Sequence, residues 1–121
     1  MTNSLGDAAT PIRGSGTDYD AIVARAAGAK FVLLGEATHG TSEFYSERAR
    51  VTERLIEDPE IAAVVIEADG PEVERANRYV RCIGDDRAAP EALSDFRRFP
   101  RWMWRNIEFA HFLERLRAEN L

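Results

Sequence analysis

The chain has 121 residues, which suits at most one small domain, and 45% of them are hydrophobic, an ordinary fraction for a globular core. Its formal net charge of −5 offers no basic surface for nucleic acid or for an anionic membrane. No apolar run approaches the length of a transmembrane helix, and the polar first residues lack the apolar centre of a signal peptide. We therefore expect a cytoplasmic protein. The lone cysteine, Cys82, excludes an intrachain disulfide.

The amino-terminal part of the chain differs in composition from the rest. Residues 1–17 are rich in Gly, Ser, Thr and Pro and predict a flexible leader, which leaves residues 18–121 for the folded domain. Within that domain, residues 18–27 predict a helix, and Gly28 is a typical residue to end it.

The next segment is an apolar run followed by a glycine-rich turn. Residues 31–34 are continuously apolar, which indicates a strand covered on both faces. Gly35 and Gly40 then bracket Glu36 and His39, so both polar side chains are expected in a short turn at the carboxyl end of that strand. In open α/β sheets, ligands bind at this edge.

The turn by itself has two interpretations. A histidine in a glycine-rich turn is often only a solvated or capping residue. Histidine also titrates near neutral pH and is the commonest general base in enzymes. The turn alone leaves both interpretations of His39 open.

A second apolar run ends in a similar way. Residues 61–68 predict a strand, with Glu67 near its end and Asp69 opening the next helix. Two successive strand-helix units imply adjacent parallel strands, so Glu36, His39, Glu67 and Asp69 are expected to converge in one crevice. Asp69 is also explained as a helix cap, whereas Glu67 lies inside the apolar run and needs a partner.

The helix predicted over residues 41 to about 57 offers that partner. Arg48 falls on its predicted inward face, which carries Phe44, Val51, Thr52, Leu55 and Ile56 at three- and four-residue spacing. An arginine on an apolar stripe often only extends its charged end to water. Near the strand edge, pairing with a carboxylate or binding a substrate oxygen explains Arg48 equally well.

Three further helices are predicted over residues 71–82, 90–96 and 102–119. The first has Val73, Ala76, Asn77 and Val80 on one face, and the last has an apolar stripe of Phe109, Phe112, Leu113 and Leu116. Asn77 on the first of these is either a buried amide or a substrate contact. Trp102 and Trp104 at the start of the last helix are expected either to wall a pocket for an apolar substrate or simply to pack.

Several separated motifs recur in a fixed order along the chain. They are GEATHG at residues 35–40, EFY at 43–45 with RA at 48–49, EAD at 67–69, NRYVR at 77–81, and FP at 99–100 with WMWRN at 102–106. In order and spacing, from about residue 21 to the last residue, the chain resembles the erythromycin esterase family.

The resemblance implies hydrolysis of an ester, in the named members the macrolactone of a macrolide antibiotic, and hence a role in antibiotic resistance. It implies that His39 is the general base on water, that Glu36 and Glu67 orient it or the water, and that Arg48 organises the carboxylates or binds substrate. Asn77, Trp102 and Trp104 are expected to contact the small-molecule ester. No cofactor and no metal are expected, although the oxygen and imidazole ligands of Glu36, His39, Glu67 and Asp69 leave a metal-dependent hydrolase as a weaker alternative.

Family members are several times longer and carry a second functional histidine in their later part, so the resemblance implies an N-terminal fragment. The expected fold class is α/β, a partial sheet of parallel strands flanked by helices, with exposed sheet edges available for self-association. Such a fragment is expected to hydrolyse macrolides slowly or not at all. The alternative function is a catalytically inactive binding or assembly module.

Overall fold

The computed structural model describes residue 6, residues 9–98 and residues 100–121. Residues 1–5 and 7–8 of the predicted leader, and Phe99 of the FP motif, lie outside this described part. The chain divides into two compact units, Met1–Val32 and Leu33–Leu121. In the described part, no helix combines the length and the apolar character needed to cross a membrane.

The first unit contains the short helix α1, Asp20–Ala26. It begins two residues later than predicted, because residues 17–19 form a turn that Asp18 stabilises. The Asp18 carboxylate accepts hydrogen bonds from the backbone N–H groups of Arg13, at 2.7 Å, and Ser15, at 3.0 Å. Gly28, which adopts a φ of +73° that favours glycine, follows the helix as predicted.

The second unit is built from helices. Their bounds are Ser42–Ile56 for α2, Gly70–Val80 for α3, Ala89–Ala92 for α4 and Ile107–Glu119 for α5, with a 3₁₀ turn at Arg101–Met103. The predicted helices over residues 41–57 and 71–82 are confirmed to within two residues, and the one predicted over 90–96 is shorter. Pro71 and Pro90 each lie in the first turn of a helix, where the missing N–H costs nothing.

The last helix begins five residues later than predicted. The Asn106 side chain accepts a hydrogen bond from the backbone N–H of Phe109 at 2.8 Å, which caps α5 at its observed start. Asn106 also donates to the backbone carbonyls of Trp102 and Met103, both at 3.0 Å. These bonds hold the preceding residues in a separate 3₁₀ turn. Reading the two elements as one helix missed this cap.

Helix α5 lies at the centre of the second unit. It packs against α2, α3 and α4, and α3 also packs against α4. Phe109, Phe112 and Leu113 of its predicted apolar stripe are buried, and Leu116 packs on the same cluster. The buried cluster comprises Ala49, Ala76, Tyr79, Ala89, Ala92, Leu93, Phe96, Met103, Trp104, Phe109, Ala110, Phe112 and Leu113.

The predicted α/β fold class is wrong. In the part of the chain that the structure describes, no residues pair into a sheet, and the regular elements are helical. The two apolar runs predicted as parallel strands, residues 31–34 and 61–68, are neither helical nor paired with each other. Several of their apolar side chains are exposed, with Leu33 at 91% and Val65 at 90%, whereas Ile66 is partly buried and packs against the core. A strand takes its hydrogen bonds from a neighbour, so the apolar pattern alone cannot create one.

Two predicted helix faces are confirmed in part: Val51 and Leu55 of α2 and Ala76 of α3 are buried as predicted. In α2, Phe44 was placed inward but is exposed, whereas Tyr45 and Ala49 are buried. In α3, Tyr79 is buried and Asn77 is exposed, which contradicts the buried-amide interpretation. Phe44 was preferred over Tyr45 for its apolar ring, but a tyrosine can bury its ring when its hydroxyl finds a partner.

Candidate functional site

The predicted turn lies entirely in the second unit, and local hydrogen bonds shape it. The Thr38 hydroxyl accepts from the backbone N–H of Gly40 at 3.1 Å. The Tyr45 hydroxyl, from the first turns of α2, donates to the backbone carbonyl of His39 at 2.5 Å. The main chain at His39 is therefore tied to the helix that follows it.

The Glu36 carboxylate is the centre of the site. One of its oxygens, Oε1, contacts Nδ1 of His39, and the other, Oε2, accepts from Nη1 of Arg48 at 2.7 Å. The Glu36 side chain is only 9% exposed and that of Arg48 20%, whereas the His39 ring is 53% exposed. A nearly buried carboxylate thus bridges a partly buried cation and a solvent-facing imidazole, and these two partners satisfy its charge.

The contact with Glu36 determines which nitrogen of His39 is free for chemistry. A carboxylate accepts hydrogen bonds, so the proton of a neutral His39 lies on Nδ1, the nitrogen that faces Glu36. Nε2 is then the nitrogen with an open lone pair. This is the arrangement in which a carboxylate orients a histidine base and stabilises the imidazolium that forms.

Arg48 lies against two aromatic rings. The carbon of its guanidinium is 5.0 Å from the ring centroid of Tyr45 and 5.3 Å from that of Trp104. Both distances are within the range of cation–π attraction. The guanidinium is therefore held by Glu36 and by aromatic faces together, and this favours the carboxylate-pairing interpretation of Arg48.

The second predicted turn reaches the site through its main chain. The indole Nε1 of Trp104 donates to the backbone carbonyl of Glu67 at 2.8 Å. Glu67 itself is exposed, and the structure gives no contact between its carboxylate and Glu36 or His39. Asp69 is the residue that precedes α3, and its carboxylate pairs with Arg98 at 2.8 Å. The orienting role of the Glu67 carboxylate stays a prediction.

The remaining predicted substrate contacts lie outside this group. The Asn77 amide donates to Glu74 on its own helix at 3.3 Å, and Trp102 is 45% exposed. Trp104, by contrast, is 7% exposed and packs on Phe109, with ring centroids 4.9 Å apart. The structure thus brings together Glu36, His39, Arg48 and Trp104 with the main chain of Glu67.

Tyr45 is the site residue that the sequence prediction missed. Its ring lies against Arg48, its hydroxyl bonds to the His39 carbonyl, and its side chain is buried. Burial raises the pKa of its phenol, and the nearby charge of Glu36 raises it further. The signal was present, because Tyr45 stands three residues before Arg48 and so shares its helix face.

The group does not form a recognisable metal centre. Across the described residues, no three or more histidine, cysteine, aspartate or glutamate side chains are clustered so that they could hold a metal ion. Glu36 and His39 are turned toward each other instead of toward a common point.

Comparison with known proteins gives a family match. The family model described as Erythromycin esterase matches residues 56–121, just over half of the chain. The matched part includes Glu67, Asn77, Trp102 and Trp104 and begins after the Glu36–His39 turn. No solved structure matches the chain. The family match agrees with the resemblance seen in the sequence motifs, and the chain belongs to the erythromycin esterase family.

Proposed function

We propose that the chain is an esterase-like hydrolase in which Glu36, His39 and Arg48 form the water-activating part of the site. The observation that carries the proposal is the bridge from the nearly buried Glu36 carboxylate to His39 Nδ1 and to Arg48. A solvated capping histidine needs no buried carboxylate behind it. A general base does, because the carboxylate stabilises the imidazolium formed on proton transfer.

The proposed reaction is hydrolysis of a carboxylic ester, with a macrolactone as the substrate class suggested by the family. His39 Nε2 takes a proton from water as the water oxygen bonds to the ester carbonyl carbon. The tetrahedral intermediate then collapses, the carbon–alkoxide bond breaks, and the imidazolium returns the proton to the departing alkoxide. The products are a carboxylic acid and an alcohol, which for a lactone remain in one opened chain.

Glu36 and Arg48 have separate parts in this reaction. Glu36 keeps the proton of neutral His39 on Nδ1 and faces the positive charge that develops on the ring. Arg48 balances the Glu36 carboxylate in a partly buried place. Glu67 remains proposed as a second orienting carboxylate, and Asn77 and Trp102 as substrate contacts. No cofactor is proposed.

We expect macrolide hydrolysis by the 121 residues to be slow. Stabilisation of the oxyanion is usually the largest contribution to catalysis. The guanidinium of Arg48 is already paired with Glu36 and lies against two rings, so little of its charge is left for an oxyanion. An activated ester needs less of this stabilisation and is therefore the better probe.

The test compares His39→Ala with His111→Ala, using p-nitrophenyl acetate and a macrolide as substrates. His111 is exposed on α5 and has no part in the proposed site, so its variant is a matched control. His39→Ala should lower the enzyme-dependent rate by about a hundred- to ten-thousand-fold, and His111→Ala should leave it unchanged. Retention of the full rate by His39→Ala contradicts the proposal.

An EDTA arm separates the metal-dependent alternative. We expect the same rate before and after chelation and dialysis. A rate that falls on chelation and returns with zinc or manganese would instead support a metal-dependent hydrolase.

A binding or assembly module remains a second candidate, favoured by one specific observation. Leu33 and Val65 are almost fully exposed in two unpaired apolar segments, and exposed apolar patches commonly mark interaction surfaces. A chain with no His39-dependent hydrolysis of either substrate would favour this candidate.

A further inference from the structure

Trp104 is packed in the core, which is one of the two alternatives that the sequence left open for it. Its side chain is 7% exposed, whereas Trp102, two residues earlier, is 45% exposed. A residue buried to this degree has little surface left for a substrate. The sequence predicts the same two alternatives for both tryptophans, but their surroundings in the structure differ.

Three contacts define the surroundings of Trp104. Its ring lies 5.3 Å from the Arg48 guanidinium, measured from centroid to carbon. Its indole N–H donates to the Glu67 carbonyl at 2.8 Å. Its ring also packs on Phe109 of α5, with centroids 4.9 Å apart at an angle of 56°. A single side chain thus links α2, the turn after residues 61–66 and α5.

The contact with Arg48 matters because Arg48 holds Glu36, and Glu36 holds His39. Arginine has several rotatable bonds, and one hydrogen bond at Nη1 leaves most of its conformers open. An aromatic ring against the guanidinium removes many of those conformers. The orientation of the Glu36 carboxylate, and with it the direction of His39 Nε2, then depends on Trp104.

We propose that Trp104 is a positioning residue that fixes Arg48, and through it the Glu36–His39 pair, while anchoring the Glu67 turn to the same site. The proposal rests on the proposed esterase function, because Trp104 affects catalysis only if the Glu36–His39 pair activates water. Trp104 acts through Arg48 and Glu67 and makes no contact with the ester.

The kinetic test compares Trp104→Phe and Trp104→Leu with a control in the same core. Trp104→Phe keeps an aromatic face and removes the N–H donor, and Trp104→Leu removes both. Phe112→Leu is the control, because Phe112 is buried on α5 and its ring packs on Phe109. Thermal unfolding measures how much stability each of the three variants loses. The rates are then compared between variants of similar stability.

With p-nitrophenyl acetate as substrate, Trp104→Leu should lower kcat on the order of tenfold or more while KM changes less than twofold, because misplacing a catalytic group impairs the chemical step. Trp104→Phe should fall between Trp104→Leu and wild type, and Phe112→Leu should retain kcat. An increase in KM at constant kcat would mean that Trp104 binds substrate. Equal losses of kcat in Trp104→Leu and Phe112→Leu would mean a structural role only. Either result overturns the proposal.

A second measurement does not depend on turnover. In ¹⁵N-labelled protein, the guanidinium signals of Arg48, assigned by their loss in Arg48→Lys, should be separate and slowly exchanging. They should remain so in Phe112→Leu and average together in Trp104→Leu. Unchanged Arg48 signals in Trp104→Leu would refute the positioning role even where hydrolysis is too slow to measure. If His39→Ala keeps wild-type turnover, the esterase assignment fails, and the guanidinium signals still decide what Trp104 holds.

Discussion

The helical part of the second unit and the two apolar segments, residues 31–34 and 61–66, contain similar apolar residues. These residues are largely buried in the helical part and largely exposed in the segments. Tyr79 of α3 and Leu93, the residue that directly follows α4, are each 1% exposed. In the segments, Leu33 is 91% exposed and Val65 90%. A helix satisfies its backbone locally and needs a neighbour only for one face, whereas an apolar extended segment needs a neighbour for both its backbone and its side chains.

The difference in burial also affects the free energy of unfolding. Burying a leucine or valine side chain stabilises a fold by about 1.5–3 kcal/mol relative to leaving it exposed. Burial of Leu93 already provides this stabilisation, whereas the exposed side chains of Leu33 and Val65 do not provide it. The helical cluster therefore determines the stability of the unit, and the segments are where a further contact would gain most.

The largest expected effect comes from truncating one leucine in each region. Leu93→Ala should lower the free energy of unfolding by about 2–5 kcal/mol, because it leaves a cavity in a closed cluster. Leu33→Ala should change it by less than about 0.5 kcal/mol, because the side chain is in water already. Urea unfolding followed by circular dichroism measures both. Similar losses in the two variants would mean that residues 31–34 are buried in solution.

A smaller effect is expected from the hydrogen bonds that join α3, α4 and α5. The Tyr79 hydroxyl donates to Glu114 at 2.6 Å, and the other Glu114 oxygen accepts from the backbone N–H of Ala89 at 2.7 Å. The Ala89 and Tyr79 bonds hold the pKa of Glu114 below its usual value of 4.5. Burial and the Glu114 bond raise the pKa of Tyr79 to about 12.

The two shifts predict loss of stability at both ends of the pH range. Glu114 is more acidic in the folded state, so its contribution is complete above pH 4.5 and is lost as the pH falls through the lowered value. Tyr79 ionises later in the folded state, so its contribution is complete below pH 10 and is lost between pH 10 and about 12.

Thermal unfolding from pH 3 to 11 checks this, with Tyr79→Phe and Glu114→Gln as variants. Tyr79→Phe should flatten the alkaline limb of the profile, and Glu114→Gln the acid limb. A profile in Tyr79→Phe that parallels the wild type above pH 10 would contradict the assignment of that limb to Tyr79.

The same contrast explains what the sequence could predict. The positions of α2 and α3 followed from apolar spacing and from turn residues such as Pro71, which act locally. The pair of Glu36 and Arg48 was accessible too, because Arg48 stands on a buried face close to a turn that carries an acid. The sheet was predicted from residues 31–34 and 61–68 as though each strand guaranteed a partner, and strand pairing is not a local property.

The side-chain details of the site were harder to predict. Tyr45 and Trp104 matter because of the Arg48 guanidinium that lies against them, and only three-dimensional placement brings Trp104 to it. Glu67 was predicted to contribute its carboxylate, which stays a prediction, and the contact that the structure shows is the one from its carbonyl to Trp104. A sequence pattern indicates which side chains can take part, but it does not specify whether the main chain or the side chain makes the contact.

The variants expected to change the free energy of unfolding least are those that test self-association. Exposed apolar segments with unpaired backbone are templates for pairing with another chain, so the self-association predicted from the sequence stays a prediction of this structure. Leu33→Lys and Val65→Lys place charges where they cost the folded unit little, since both side chains are exposed.

Size-exclusion chromatography with light scattering should detect oligomers of the wild type that dissociate in the double variant. As a control, Arg50→Glu alters charge on the exposed side of α2 and should leave the oligomers intact. A wild type that remains monomeric at high concentration would contradict self-association. Oligomers that persist equally in the double variant would mean that these segments are not where the copies meet.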